Sequence, residues 1–326
     1  MNKPRNKDHK HKGGGHKGGA GGQNSNNSHK RSEPRDKKPH GGSAHKTQAQ
    51  ASKPRGGAER PQGGAKRERV TVRKIERLTL FGMHAVREAW LNPLRQIDGL
   101  YITPTLLEEF QQHIHAAKKA GLKRPEPVLV ERSRLDASFP EGTVHQGIAL
   151  RSALLEEYGA VDIINAGEER IKTQGKRSLV LILDQVTDPH NIGAIIRSAS
   201  AFGITGMIVQ KKHTPPLQGI VGKTACGGLD HLLVAHETNL ARTMEQLKDK
   251  GYYVIGLDER GEESLEDFTP PERCAFVLGA EGPGLRRLTK DGCDQMIKLP
   301  TGGAVGSLNV SNAAAICLYA LSSYKK

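Results

Sequence analysis

The first seventy residues lack the means to fold. Between Asn2 and Arg69 there is no Val, Ile, Leu, Met, Phe, Tyr, Trp or Cys, so nothing is available to bury against the entropy of ordering the chain. Other absences narrow the function. Of the four cysteines, Cys226, Cys274, Cys293 and Cys317, no two form a CxxC pair, which reads as reduced, partly buried thiols in a cytoplasmic protein rather than a disulfide framework. No stretch approaches the roughly 18 apolar residues of a membrane span, and the basic N-terminus has no apolar core of the kind a secretory signal carries. No GxGxxG follows a strand and no GxxxxGK[ST] is present, so a dinucleotide or P-loop phosphate cradle is not expected.

What is present is unevenly spread. Residues 1–70 hold 18 Lys+Arg against 5 Asp+Glu, a net of +13, while the remaining residues carry a net of +1. We read residues 1–75 as a disordered, basic, Gly/Lys/His-rich tail, suited to non-specific phosphate contact through counterion release. Six of the fourteen histidines lie there, irregularly spaced and without Cys, so no metal site is expected. Composition alone also allows a tail that merely solubilises.

Beyond the tail the pattern becomes α/β. Residues 82–91 carry helical spacing, 97–102 read as a strand, 106–120 as an amphipathic helix, and 127–130 and 144–150 as strands. Residues 78–152 make a small α/β domain, and 153–177 read as a linker. From residue 178, strands and helices alternate. The run 179–184 is continuously apolar, as in a strand buried on both faces of a parallel sheet. Helices are expected over 191–202, near 222, over 238–250, from 284 and at the C-terminus; strands over 207–209, 232–234, 253–257, 275–279 and 296–299. Repeated βα units imply an open, mostly parallel sheet covered by helices.

Ligands of such sheets bind beyond the carboxyl ends of the strands, and three strand ends carry unusual loops. After 179–184 comes DQVTDPHNIGAIIR, in which Asn191 can cap a helix and Arg197 lies inside it, among Ile195, Ile196 and Ala199. After 275–279 comes LGAEGPGLRR. Gly279 and Ala280 allow close backbone approach, Glu281 suits a helix dipole, and Arg286 and Arg287 are either phosphate contacts or surface charges. After 296–299 comes LPTGGAVGSLNVSN, whose Ser307, Asn309, Ser311 and Asn312 are helix-starting residues. A capped terminal helix explains the last equally well on its own.

Taken together, NIGAIIR (191–197), LGAEGPGLRR (278–287) and LPTGGAVGSLNVSNAAA (299–315) resemble the three motifs of the SpoU–TrmH family of RNA 2′-O-ribose methyltransferases, in order and at the ends of the corresponding strands. The resemblance covers residues 179–319, and residues 78–152 look like the small RNA-binding domain that precedes the catalytic domain in the branch acting on 23S rRNA guanosine. It implies a deep trefoil knot in the C-terminal part of the sheet, a feature otherwise essentially absent from proteins. It also implies S-adenosylmethionine as cofactor, RNA rather than DNA as substrate, and a homodimer in which an arginine reaches toward the partner's cofactor pocket. Position by position, Asn191, Arg197, Glu281, Ser307 and Asn309 carry over as the catalytic set. Gly279, Ala280, Leu299, Thr301, Gly302 and Leu308 carry over to the cofactor loops, where backbone groups would hold the adenine and the methionyl part. Thr301 departs from the methionine common after the proline. Lys223, in GKTACGG (222–228), is expected to face RNA. Methylation of tRNA or of another rRNA site, and a non-catalytic ribosome-assembly factor that keeps the fold, stay open beside the 23S reading.

Overall fold

The small sheet comes first in the chain. In the computed structural model, which describes residues 72–304 and 306–323, its elements are β1 (Leu80–Phe81), α1 (Met83–Leu91), β2 (Ile97–Ile102), α2 (Pro104–Lys119), β3 (Val128–Leu129), α3 (Arg132–Asp136) and β4 (Ile148–Ser152). Strand order is β1-β4-β2-β3, antiparallel except for β2 with β3. Helices α1 and α2 pack Val86, Trp90, Phe110 and Ala117 onto Leu100, Ile102, Ile148 and Leu150. The opposite face is closed by Ile75, Val130 and Leu135. Ile75 is buried, and its N–H donates to Ser138 Oγ at 2.8 Å, so the tail boundary drawn at residue 75 is corrected: the packed chain already includes it. The readings on residues 1–71 lie outside the described residues.

The stretch 153–177 is also corrected. It is not a plain linker, for it contains α4 (Ala160–Gln174). Ala160, Ile163 and Ile164 are buried in the core of the second sheet. Gly167 lies where an added Cβ would meet the Tyr252 hydroxyl at 2.2 Å.

Then follow β5 (Ser178–Asp184), α5 (Pro189–Ala201), β6 (Gly206–Gln210), α6 (Ile220–Thr224), a 3₁₀ turn (Gly228–His231), β7 (Leu233–Glu237), α7 (Leu240–Asp249), β8 (Tyr253–Leu257), β9 (Glu263–Ser264), β10 (Arg273–Gly279), α8 (Arg287–Asp291), β11 (Gln295–Lys298) and α9 (Val310–Ser323). The seven strands run in the order β7-β6-β5-β10-β8-β11-β9, every pair parallel. Strand β5 is buried along its whole length, and its residues alternate between two cores. Leu179, Leu181 and Leu183 pack with the apolar residues of α5 and α9, while Val180 and Ile182 pack with α4 and α7. A strand between two helical layers needs apolar residues at every position, which is why 179–184 shows no alternation.

All described residues belong to one compact unit, Arg67–Lys326, and the two sheets meet through specific contacts. Arg95 donates to Asp230 from Nε at 2.8 Å and from Nη2 at 3.2 Å, with both side chains 2% exposed. Asn92 Nδ2 adds a bond to Asp230 Oδ1 at 2.9 Å. Gly222 and Gly227 sit so close to Leu80 and Glu88 that an added Cβ would come within 2.3 and 2.2 Å of them.

Candidate active site

Strand β5 ends at Asp184, wholly buried, whose carboxylate takes Arg286 Nε and Nη2 at 2.7 Å each and the Arg286 N–H at 3.1 Å. Burying a carboxylate is costly unless it is paired and hydrogen-bonded, and Arg286 does both. The arginine is therefore held by the fold, and Arg287 is paired with Asp291 at 3.0 Å. Arg287 keeps most of its side chain exposed despite that pair, which is a weak surface one.

Helix α5 begins two residues earlier than the sequence suggested. Asp188 is its cap, accepting from the His190 and Asn191 N–H groups at 3.3 and 3.1 Å, and Pro189 occupies the first turn. Pro tolerates that position because its missing N–H would be unbonded there. Asn191 is thereby freed from capping. Its Nδ2 donates to Glu281 Oε1 at 3.3 Å, and its Oδ1 accepts from Asn309 Nδ2 at 3.0 Å. Asn309 Nδ2 also donates to Glu281 Oε1 at 2.6 Å. Three motifs separated by up to 118 residues thus converge on one hydrogen-bonded cluster.

Glu281 and Asn309 do structural work there as well. Glu281 accepts from the Val310 N–H at 3.1 Å, and Asn309 Oδ1 accepts from the Ser311 N–H and Oγ at 2.9 and 2.6 Å. Both satisfy orphan donors at the start of α9. The helix whose dipole Glu281 serves is α9, not the short α8 that follows it in sequence.

Beside this cluster lies a cleft of about 460 Å³ lined by the ends of three strands and the loops after them. Gly279, Ala280, Glu281, Leu299, Thr301, Ser307 and Leu308 line it. Gly302 is not among the lining residues; it is exposed, with open space where a Cβ would be. Thr301 Oγ1 donates to Gly306 O at 3.2 Å, closing the loop on itself. Gly279 packs so tightly on Gly284 that an added Cβ would lie 2.2 Å from its carbonyl carbon.

Asp258, Glu259 and Arg260, in the turn after β8, line the cleft too, and they are not among the residues expected from the sequence. The signal was available: a strand end followed by D-E-R-G, on the side of the sheet where ligands bind.

Arg197 is exposed and lines a different cleft of about 380 Å³, together with His84, Glu88, Cys226 and His231. Within one chain it does not join the Asn191–Glu281–Asn309 cluster. Lys223 is not free for RNA in the way expected. Its ammonium donates to Val144 O and lies 5.6 Å from the centre of the Phe81 ring, strapping the two sheets together. The cysteines are free; Cys274 and Cys317 are buried, Cys226 and Cys293 half-buried. Burial pushes the thiols of Cys274, Cys293 and Cys317 up to about 12.

Comparison with known proteins gives a consistent picture. The SpoU rRNA Methylase family matches residues 178–319. The chain is 39% identical to a Bordetella pertussis protein named 23S rRNA (guanosine-2′-O-)-methyltransferase RlmB, over 74% of this chain and 94% of the relative. It is 36% identical to the Pseudomonas putida protein of the same name, over the same shares. Among solved structures, the SpoU methyltransferase AviRb from Streptomyces viridochromogenes, in complex with AdoMet, matches with a TM-score of 0.59 and 22% identity, covering 75% of this chain and 88% of that one.

Proposed function

The chain belongs to the SpoU rRNA methylase family, and on that footing we propose that it transfers a methyl group from S-adenosylmethionine to the 2′-hydroxyl of a guanosine in 23S rRNA. The observation that carries the reading is the Asn191–Glu281–Asn309 cluster at the edge of the cleft. The cleft fits the donor by volume and chemistry. Its roughly 460 Å³ lies in the range of small-molecule sites. Leu278, Leu299, Leu308 and Val310 give it apolar walls, and Glu259 and Glu281 suit a ligand bearing a sulfonium and an ammonium. We assign Gly279, Ala280, Leu299, Thr301 and Leu308 to cofactor contact, and Ser307 to the substrate side of the same cleft.

The bound donor supplies an electrophilic methyl group. Held by the cleft, it would offer that methyl to a ribose 2′-oxygen and leave as the neutral thioether, while the hydroxyl proton would pass to phosphate or water. What the protein adds is alignment and charge. Arg197 is the side chain we assign to the developing alkoxide and the adjoining phosphate. A guanidinium stays protonated at any working pH, so its part is electrostatic stabilisation rather than base catalysis.

Because Arg197 and the cofactor cleft lie apart in one chain, the complete site needs two copies. Our reading is a homodimer in which each copy lends Arg197 to the other's cleft. Helix α9 leaves Ile316 44% and Tyr319 61% exposed, apolar surface suited to such an interface. A trefoil knot in the C-terminal part of the sheet belongs to the same reading. Its support is that Leu299, Thr301, Gly306, Ser307 and Leu308, after β11, reach the cleft that the β8 and β10 ends also line. The small α/β domain is assigned to RNA binding and the protein to the cytoplasm, where that RNA is. Among the described residues no helix is long and apolar enough to cross a membrane.

Arg197→Ala tests the assignment. Loss of an oxyanion-stabilising group costs about 10²–10³ in rate, so tritiated methyl transfer should fall at least that far while calorimetric affinity for S-adenosylmethionine stays within about twofold. Normal turnover in the variant would overturn the role.

A further inference from the structure

The charges around the cofactor cleft are unequal. Three lining side chains are carboxylates, of which Asp258 is already neutralised by Lys290 at 2.8 Å, leaving Glu259 and Glu281, and one lining side chain is a cation, Arg260. The methyl donor is the complement of that set. It carries a sulfonium, an α-ammonium and a single anionic group, the α-carboxylate.

Arg260 stands on a turn that is fixed on every side. The Asp258 N–H donates to Ile297 O at 3.0 Å, and the Gly261 N–H returns to Asp258 O at 2.9 Å. The Asp258 carboxylate takes the Arg260 backbone N–H at 2.9 Å and Lys290 Nζ at 2.8 Å. Gly261 is pressed onto β11, where an added Cβ would lie 2.4 Å from the Ile297 carbonyl carbon. The Arg260 N–H is taken up by Asp258, and its exposed guanidinium, close enough for its charge to act on the Asp258 carboxylate, makes no hydrogen bond or salt bridge among the described residues. With the backbone already fixed, binding a carboxylate costs only side-chain rotamer freedom, and the planar fork of arginine suits that group.

We propose that Arg260 receives the α-carboxylate of the methyl donor, making it the residue that selects the amino-acid end of the ligand. The inference rests on the reading that this cleft binds S-adenosylmethionine. A charge-assisted hydrogen bond at a partly exposed site corresponds to about tenfold in affinity.

The test is calorimetric titration of the full-length protein with S-adenosylmethionine and with decarboxylated S-adenosylmethionine, for the wild type, Arg260→Met and Arg260→Lys. The wild type should prefer the carboxylated ligand by about tenfold. Arg260→Met should lose that preference by weakening only the carboxylated ligand, and Arg260→Lys should restore part of it. If Arg260→Met weakens both ligands alike, or neither, the assignment of Arg260 is overturned while the methyl-donor cleft stands. If the wild type binds neither ligand, the reading of the cleft itself falls, and this inference with it.

Discussion

At the scale of single residues, the site rests on Asp184, a carboxylate with no exposure at all, bonded to Arg286, whose side chain is 41% exposed. The two partners are therefore not equivalent. Arg286→Met would strand a buried charge, at a cost of about 3 kcal/mol or more. Asp184→Asn leaves the arginine reachable by water and costs less. Urea denaturation should rank the variants in that order; the reverse order would mean that the pair is not held as described. The thiols give a second residue-level test. Cys274, Cys293 and Cys317 are raised to about 12 by burial, so at pH 8 almost none of each is thiolate, the reactive form. Iodoacetamide under native conditions should label Cys226 well ahead of the other three. The turn that holds Arg260 has its own pH limit. The bond from Lys290, then that from the Arg260 N–H, keeps the Asp258 carboxyl below its usual 3.8. A depressed acid stabilises fully above the unfolded value and loses that contribution as pH falls through the folded one. The stability this pairing gives should be fully present above pH 3.8 and lost as pH falls below it; an acid-unfolding curve that Asp258→Asn leaves unchanged in that range would contradict the pairing.

At the scale of elements, the junction between the sheets hinges on the 3₁₀ turn Gly228–His231, because it carries the Asp230 that locks Arg95 and Asn92. Asp230→Ala leaves Arg95 buried without its partner and should cost about 3–5 kcal/mol, with faster amide exchange in α1 and in residues 228–231. Unchanged exchange there would show that the lock is not what joins the sheets. The same scale shows what the sequence disclosed. Strands at 97–102 and 253–257 were legible to the residue, since apolar runs bounded by polar or glycine turns have few other readings. Helix α4 was not. Its buried stripe of Ala160, Ile163, Ile164 and Gly167 has helical spacing, but two of the four residues are small, and after Ile164 the window has one large apolar residue, Ile171. The start of α5 differs from the expected 191 because Asp188, not Asn191, is the cap, with Pro189 as the first helical residue. The polar cluster was legible only through family resemblance. That Glu281 serves a helix starting 29 residues later depends on the path of the chain, which local pattern does not encode.

For the whole molecule, charge is the feature that sequence gives outright: a net of +13 in residues 1–70 and +1 in the rest. If that segment contacts phosphates, its removal should flatten the salt dependence of RNA affinity, because fewer counterions are released. Filter binding across a salt series compares the full chain with one beginning at residue 71. An unchanged slope would make the segment irrelevant to affinity. The central claim, a methyl donor in the cleft serving one ribose in 23S rRNA, is tested most directly by mapping ribose methylation across total RNA from cells lacking this protein. The account predicts that a single 2′-O-methylguanosine disappears from 23S rRNA, and that the Arg197→Ala form does not restore it. An unaltered ribose-methylation map in those cells would contradict the account.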